Sequence, residues 1–107
     1  MSETFGRLIR QARVSKGLSQ KDLAGQVMKE NGESISAQYL NDIEHNRRQP
    51  PGPEFIKQLA QLLGLDEDGL MVAAGRLPDD IRKMTLQDPN WAGELLQAFR
   101  KRPTLGG

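Results

Sequence analysis

Apolar residues recur along this chain at three- and four-residue intervals, and short polar or glycine-containing stops break the pattern into a succession of short helices. Phe5, Leu8, Ile9 and Ala12 form the first stripe, behind Thr4 as N-cap. Gly17 permits a left-handed stop there, with Leu18 as its apolar follower. Leu23 and Val27 lie one turn apart in a second helix, with the small Ala24 beside them, and Leu40 and Ile43 share a face in a third. Pro50-Pro51-Gly52 is a stiff connector to a fourth helix, in which Pro53 sits first and Phe55, Ile56, Leu59, Ala60, Leu62 and Leu63 give a broad apolar face. Gly64 and Leu65 repeat the earlier stop, Asp66 caps a fifth helix, and Leu70, Met71 and Ala74 supply its buried side. Phe55 and Met71 read as core rather than as a ligand box.

The second and third helices each carry their own start signal. Ser19 and Ser36 can accept the unpaired N–H groups of a new first turn, and Asp22 follows Ser19 by three residues, as a capping box requires. Once the apolar faces of these two helices pack together, Ala37, Gln38, Asn41, Asp42 and His45 remain outward on the third. Short and amide-bearing side chains suit base reading, because a major groove admits a helix and Gln or Asn can bond adenine N6 and N7 together. Asn46 is placed as a left-handed stop, and Arg47-Arg48-Gln49-Pro50 puts cations where a phosphate strand would run. On this reading Ala37, Gln38, Asn41 and Asp42 face base edges, with Asp42 suited to a cytosine N4 donor. Ser19 and Gln20 at the positive end of the second helix hold phosphates, as do Ser36, Tyr39, Arg47 and Arg48.

Leu18-Ser19-Gln20, Asp22-Leu23-Ala24 and the run from Tyr39 to Pro50 resemble the five-helix DNA-binding domain of phage repressors and Cro proteins, the XRE-type family. The likeness covers about residues 4 to 75. Spacing alone makes Arg7, Arg10 and Arg13 a solvated face; the resemblance instead implies that Arg13 pairs with Glu44 and locks the first helix to the reading helix. The chain departs from the family between Val27 and Ile35, where Met28-Lys29-Glu30-Asn31-Gly32-Glu33-Ser34 replaces a short turn. The expectation here is that the second helix gains about a turn and stops at Gly32, followed by a polar loop. That loop reads as solvent-facing, with Lys29 as a phosphate contact in the alternative.

Past Gly75, Pro78-Asp79-Asp80-Ile81 opens one more helical pattern, and Asp88-Pro89-Asn90-Trp91 opens a last one through Arg102. Trp91, Leu95, Ala98 and Phe99 make a narrow stripe on it. Either this stripe folds back over the first and fifth helices, or Trp91, Leu95 and Phe99 form a dimer seam, since reading a palindromic operator requires a two-fold protein. The expected architecture is therefore all-α. A five-helix phage-repressor-like helix-turn-helix domain spans residues 1–75, one or two additional helices span 76–102, and 103–107 form a disordered tail.

Composition narrows the picture further. At 107 residues there is room for one such domain and its extension, and 27% charged with 36% hydrophobic residues is ordinary for a globular chain. No apolar run reaches the ~18 residues of a membrane span, and the start Met1-Ser2-Glu3-Thr4 is polar rather than a basic signal region, so the expected location is the cytoplasm, on the nucleoid when DNA is bound. With no cysteine, neither a disulfide nor a thiol–zinc site is available. The net charge of +1 argues against non-specific coating of nucleic acid. Residues 1–50 carry 8 Lys and Arg against 6 acids, and residues 51–107 carry 7 against 8, a weak bias toward the DNA-reading half.

There is one histidine, no phosphate-cradling glycine loop and no His-Glu-x-x-His, and the carboxylates fall on helix starts where capping explains them. Neither catalysis nor a cofactor or metal is expected, and His45 reads as a helix-end residue near phosphate or solvent. The leading function is a repressor that binds double-stranded operator DNA as a homodimer. The alternatives are an antitoxin that also holds a toxin through the extension, and an interaction module that has lost DNA readout, for which Asp42 on the reading face is the best argument.

Overall fold

Seven α-helices run through residues 4–101, the part of the chain that the computed structural model describes. They are α1 (Phe5–Ser15), α2 (Gln20–Ala24), α3 (Ala37–Glu44), α4 (Pro53–Leu63), α5 (Glu67–Ala73), α6 (Asp79–Gln87) and α7 (Pro89–Lys101). The fold is all-α. Four of these helices start on a side-chain oxygen that accepts an N–H of the first turn: Thr4 from Arg7, Ser19 from Asp22, Ser36 from Tyr39 and Asp66 from Gly69. Asp22 returns the bond to the Ser19 N–H at 3.2 Å, which completes the capping box. α4 has Gly52 as N-cap and Pro53 in its first turn, where the missing N–H is no loss.

The described residues fall into two compact units, one ending at Arg76 and the other beginning at Leu77. In the first, α1 packs on α3 and α4, α2 on α3, and α4 on α5. Ile9, Leu23, Leu40, Ile56 and Leu59 are at most 1% exposed and form the centre of one core. Gly6 lies where α1 crosses the end of α3: a Cβ there would stand 2.7 Å from the Glu44 carbonyl oxygen and 2.9 Å from Asn46 Oδ1. Only glycine lets the two backbones come this close.

The expected lengthening of the second helix to Gly32 does not occur. α2 closes at Ala24, and Val27 enters the core outside any helix. The Ile35 N–H returns to the Val27 carbonyl at 3.0 Å, Met28 bridges Ser34 in antiparallel fashion, and the Lys29 N–H reaches Glu33 O at 2.8 Å. Gly32, at φ 85°, turns this small hairpin rather than ending a helix. Gln58 on α4 accepts the Met28 N–H at 2.8 Å and donates to the Met28 carbonyl at 2.9 Å. The backbone groups that a longer helix would have paired internally are met here by a partner distant in sequence, and Gly25 at the break lowers the cost of stopping.

In the second unit, α6 and α7 pack on each other, joined by Asp88, whose Oδ1 accepts the N–H groups of Asn90 and Trp91. Neither helix has a fully buried residue. Trp91 and Leu95 are half-buried, whereas Phe99 is 60% and Leu86 71% exposed. The expected tail at 103–107 and the end of the last helix at Arg102 lie outside the described residues.

Candidate nucleic-acid interface

Arg13 and Glu44 anchor the site from below. Arg13 Nε meets Glu44 Oε2 at 2.6 Å and Nη2 meets Oε1 at 2.9 Å, while Nη1 donates to the Leu18 carbonyl at 2.8 Å. The side chains are 11% and 0% exposed, so this is a two-point pair largely shielded from water. The Glu44 carboxylate raises the Arg13 pKa, against the opposing effect of burial. One guanidinium thereby holds α1, the turn after it and the C-terminal end of α3 in one arrangement.

Gln20 adds a third arm. Its Nε2 donates to Glu44 Oε1 at 3.1 Å and to Asn41 Oδ1 at 3.0 Å, fastening the start of α2 to the middle of α3. The sequence offered Gln20 as a phosphate contact, and its amide N–H groups are instead turned onto α3. No spacing signal reveals this contact, because Gln20 and Asn41 are 21 residues apart.

α3 ends in a left-handed Asn46 at φ 58°, after which the Arg47 N–H reaches back to the Asp42 carbonyl at 2.8 Å. Asn46 Nδ2 also donates to Thr4 Oγ1 at 3.1 Å, which ties this stop to the cap of α1. The outward face of α3 carries exposed Gln38 and half-buried Ala37, Asn41 and Asp42. Asp42 Oδ1 accepts from Gln38 Nε2 at 3.1 Å, and its two oxygens lie 3.7 Å from Arg47 Nη1 and 3.8 Å from Arg48 Nε. The acid on this face thus has an amide and two exposed cations around it. Arg48 also sits over the Tyr39 ring, 5.1 Å from its centre, and that ring meets Phe55 edge-on at 6.3 Å. His45 Nδ1 lies 2.8 Å from the Asn41 carbonyl oxygen, to which it donates in the tautomer protonated at Nδ1.

Ser19 and Ser36 use their hydroxyl oxygens as caps and stand exposed at the starts of α2 and α3. Lys29, from the hairpin, lines one open groove together with Ser36, Tyr39 and Arg48. The structure therefore brings Ser36, Tyr39 and Arg48 together and adds Lys29. Trp91, Leu95 and Phe99 belong to the second unit, on α7.

The helix-turn-helix domain family matches residues 6–76, most of the first unit. The chain belongs to the XRE-type helix-turn-helix family. Among curated members, it is 33% identical over 82 residues to the uncharacterized HTH-type transcriptional regulator RghRB of Bacillus subtilis (strain 168), covering 74% of this chain and 55% of that protein. It is 32% identical over 77 residues to the HTH-type transcriptional repressor RghR of the same organism, covering 72% and 53%. The chain thus spans about half the length of the curated relatives it matches. Among solved structures of this fold, the biofilm master regulator SinR in complex with DNA aligns at TM-score 0.53 and 26% identity, covering 64% of this chain and 98% of that one. A SinR/SinI complex aligns at TM-score 0.53 and 22% identity, covering 92% and 98%, and shares the fold. Among the described residues, no helix is long and apolar enough to cross a membrane.

Proposed function

We propose that this chain is a sequence-specific DNA-binding regulator of transcription, a repressor that occupies a palindromic operator as a homodimer. The observation that carries this reading is the outward face of α3, where Gln38 and Asn41 stand on a helix braced by the Arg13–Glu44 pair and are flanked by Arg47 and Arg48. Rigid amides over a fixed helix are what base readout needs, and cations beside them position the phosphate backbone. The likeness to SinR, solved in complex with DNA, and to the transcriptional repressor RghR supports the same assignment. Ala37 and Gln38 approach bases first, with Asn41 one turn further in. Ser19, Ser36, Tyr39, Arg47 and Arg48 face phosphates, Arg47 and Arg48 exchanging Asp42 for the DNA backbone.

Dimerisation is assigned to α7, because Trp91, Leu95 and Phe99 present aromatic and aliphatic surface that the α6–α7 pair leaves partly uncovered. The same uncovered surface favours a second reading, in which the extension holds a partner protein, as in an antitoxin. Selection from a random DNA pool, followed by shift assays across a salt series, tests the assignment. A palindromic consensus bound more weakly as salt rises is the expected result; absence of any enriched sequence refutes it. Phe99→Glu in the full chain lowers the sedimenting mass if α7 is the seam, and an unchanged mass places the seam elsewhere.

A further inference from the structure

We infer that the ion pair beneath α3 fixes the polarity of Asn41, making it a hydrogen-bond donor that reads guanine in the major groove. This rests on the DNA-reading assignment above and sharpens it. Glu44, bound at two points by Arg13, is an ionised carboxylate and so offers acceptors only. The Gln20 amide that meets Glu44 Oε1 at 3.1 Å must therefore present its NH2 group, because the opposite orientation would set a carbonyl oxygen against the carboxylate. The same NH2 group lies 3.0 Å from Asn41. Asn41 must answer with its oxygen, since its own NH2 would leave two donors facing each other. The charge of Arg13 is thus relayed through Glu44 and Gln20 as a fixed orientation of one amide on the reading helix.

The consequence lies at the free end of that amide. Asn41 Oδ1 is engaged, and Nδ2 has no acceptor among the described residues, so Asn41 brings two N–H donors to the groove. Guanine places the acceptors O6 and N7 side by side there, whereas cytosine offers only the N4 donor and adenine sets the N6 donor beside N7. The two-point adenine contact usual for an asparagine needs an oxygen turned to the base edge; the bond from Gln20 instead draws Oδ1 toward α2 through one of its two lone pairs and leaves the NH2 group at the outward end. Gln38 differs: Asp42 takes one of its N–H groups, leaving Oε1 and the second N–H for an adenine. Gln20 is accordingly a positioning residue for readout rather than a phosphate contact.

The test uses the full chain and an operator selected from a random pool. Asn41→Asp, which keeps the bond from Gln20 but presents acceptors, identifies the base step that Asn41 faces. At that step the wild type should require a G·C pair, and Asn41→Asp should prefer the inverted pair. Replacing that guanine by 7-deazaguanine should weaken wild-type binding on the order of tenfold, while N4-methylcytosine opposite it should leave binding unchanged. Gln20→Ala should melt close to wild type and keep the salt slope, yet bind the four bases at that step within about twofold of each other. An A·T pair at the step overturns the proposal, as does sensitivity to N4-methylcytosine instead of 7-deazaguanine. A Gln20→Ala protein with intact base preference and a salt slope reduced by about one unit also overturns it. In each of these cases an operator has been selected and the regulator assignment stands; a pool that yields no enriched sequence removes both.

Discussion

Arg13 on α1 and Glu44 at the end of α3, 31 residues apart in sequence, meet through two hydrogen bonds of 2.6 and 2.9 Å in a site from which water is nearly excluded. Removing one partner strands the other. Glu44→Ala is expected to lower unfolding stability by about 3–5 kcal/mol in urea titration, because the Arg13 guanidinium then loses its partner while remaining largely buried. An exposed pair would cost about 1 kcal/mol or less, so the measured value separates the two cases.

Gly6 and Gly93 should respond in opposite directions to the same substitution. At Gly6 a methyl group would press on the carbonyl oxygens at the end of α3, and Gly6→Ala is expected to cost about 1–3 kcal/mol as α1 is pushed away. Gly93 stands inside α7 with open space around its missing Cβ, so Gly93→Ala should raise stability by about 0.5–1 kcal/mol. Paired denaturation curves read both signs.

Gln58 gives the hairpin between α2 and α3 its only side-chain clip to α4 among the described residues, accepting the Met28 N–H and donating to the Met28 carbonyl. Gln58→Leu keeps the bulk and removes both bonds, an expected loss of about 1–2 kcal/mol. Amide exchange at Met28 should accelerate more than at Leu59, next to the substitution but in the helical core.

Arg48→Ala should weaken binding to all DNA sequences alike and reduce the slope of log affinity against log salt by about one unit, as loss of one phosphate contact does. Gln38→Ala should instead cost about 1–3 kcal/mol at one base step and leave the slope unchanged. A uniform loss across sequences for Gln38→Ala would make it a backbone contact.

The capping box at α2 gives an acid dependence. The bond from the Ser19 backbone N–H, followed by that from its hydroxyl, holds the Asp22 pKa below its ordinary 3.8. A lowered folded-state pKa stabilises the fold above the ordinary value, and that contribution disappears as pH falls from about 3.8 through the folded-state pKa. Asp22→Asn should therefore flatten the stability profile in that window and leave its shape near pH 7 unchanged.

Local chemistry was legible wherever a few neighbouring residues decide the outcome. Thr4, Ser19, Ser36 and Asp66 announced helix starts because a cap is satisfied within three residues, and Gly17, Gly64 and Asn46 marked stops because each takes a left-handed backbone. The apolar stripes of α1, α3, α4 and α5 identified their buried faces, since helical periodicity alone fixes which side chains share a side. The end of α2 was not legible. Val27 continues the helical spacing of Leu23, yet its backbone carbonyl is claimed by Ile35 and the next residue by Gln58, a partner 30 positions away.

The amino-acid sequence by itself determined where the helices capped by Thr4, Ser19, Ser36 and Asp66 start and the row of amides on α3, because these depend on contacts within one or two turns. The tertiary structure alone decided how those amides are held. Arg13 and Gln20 reach the Asn41–Glu44 side of α3 only when α1, α2 and α3 have packed, and Asp42 meets Arg47 and Arg48 only once Asn46 turns the chain back. The physical reason is that an amide is symmetric in shape and polar in chemistry. Its place can be read from periodicity, but which end faces outward follows from the charges that folding brings beside it.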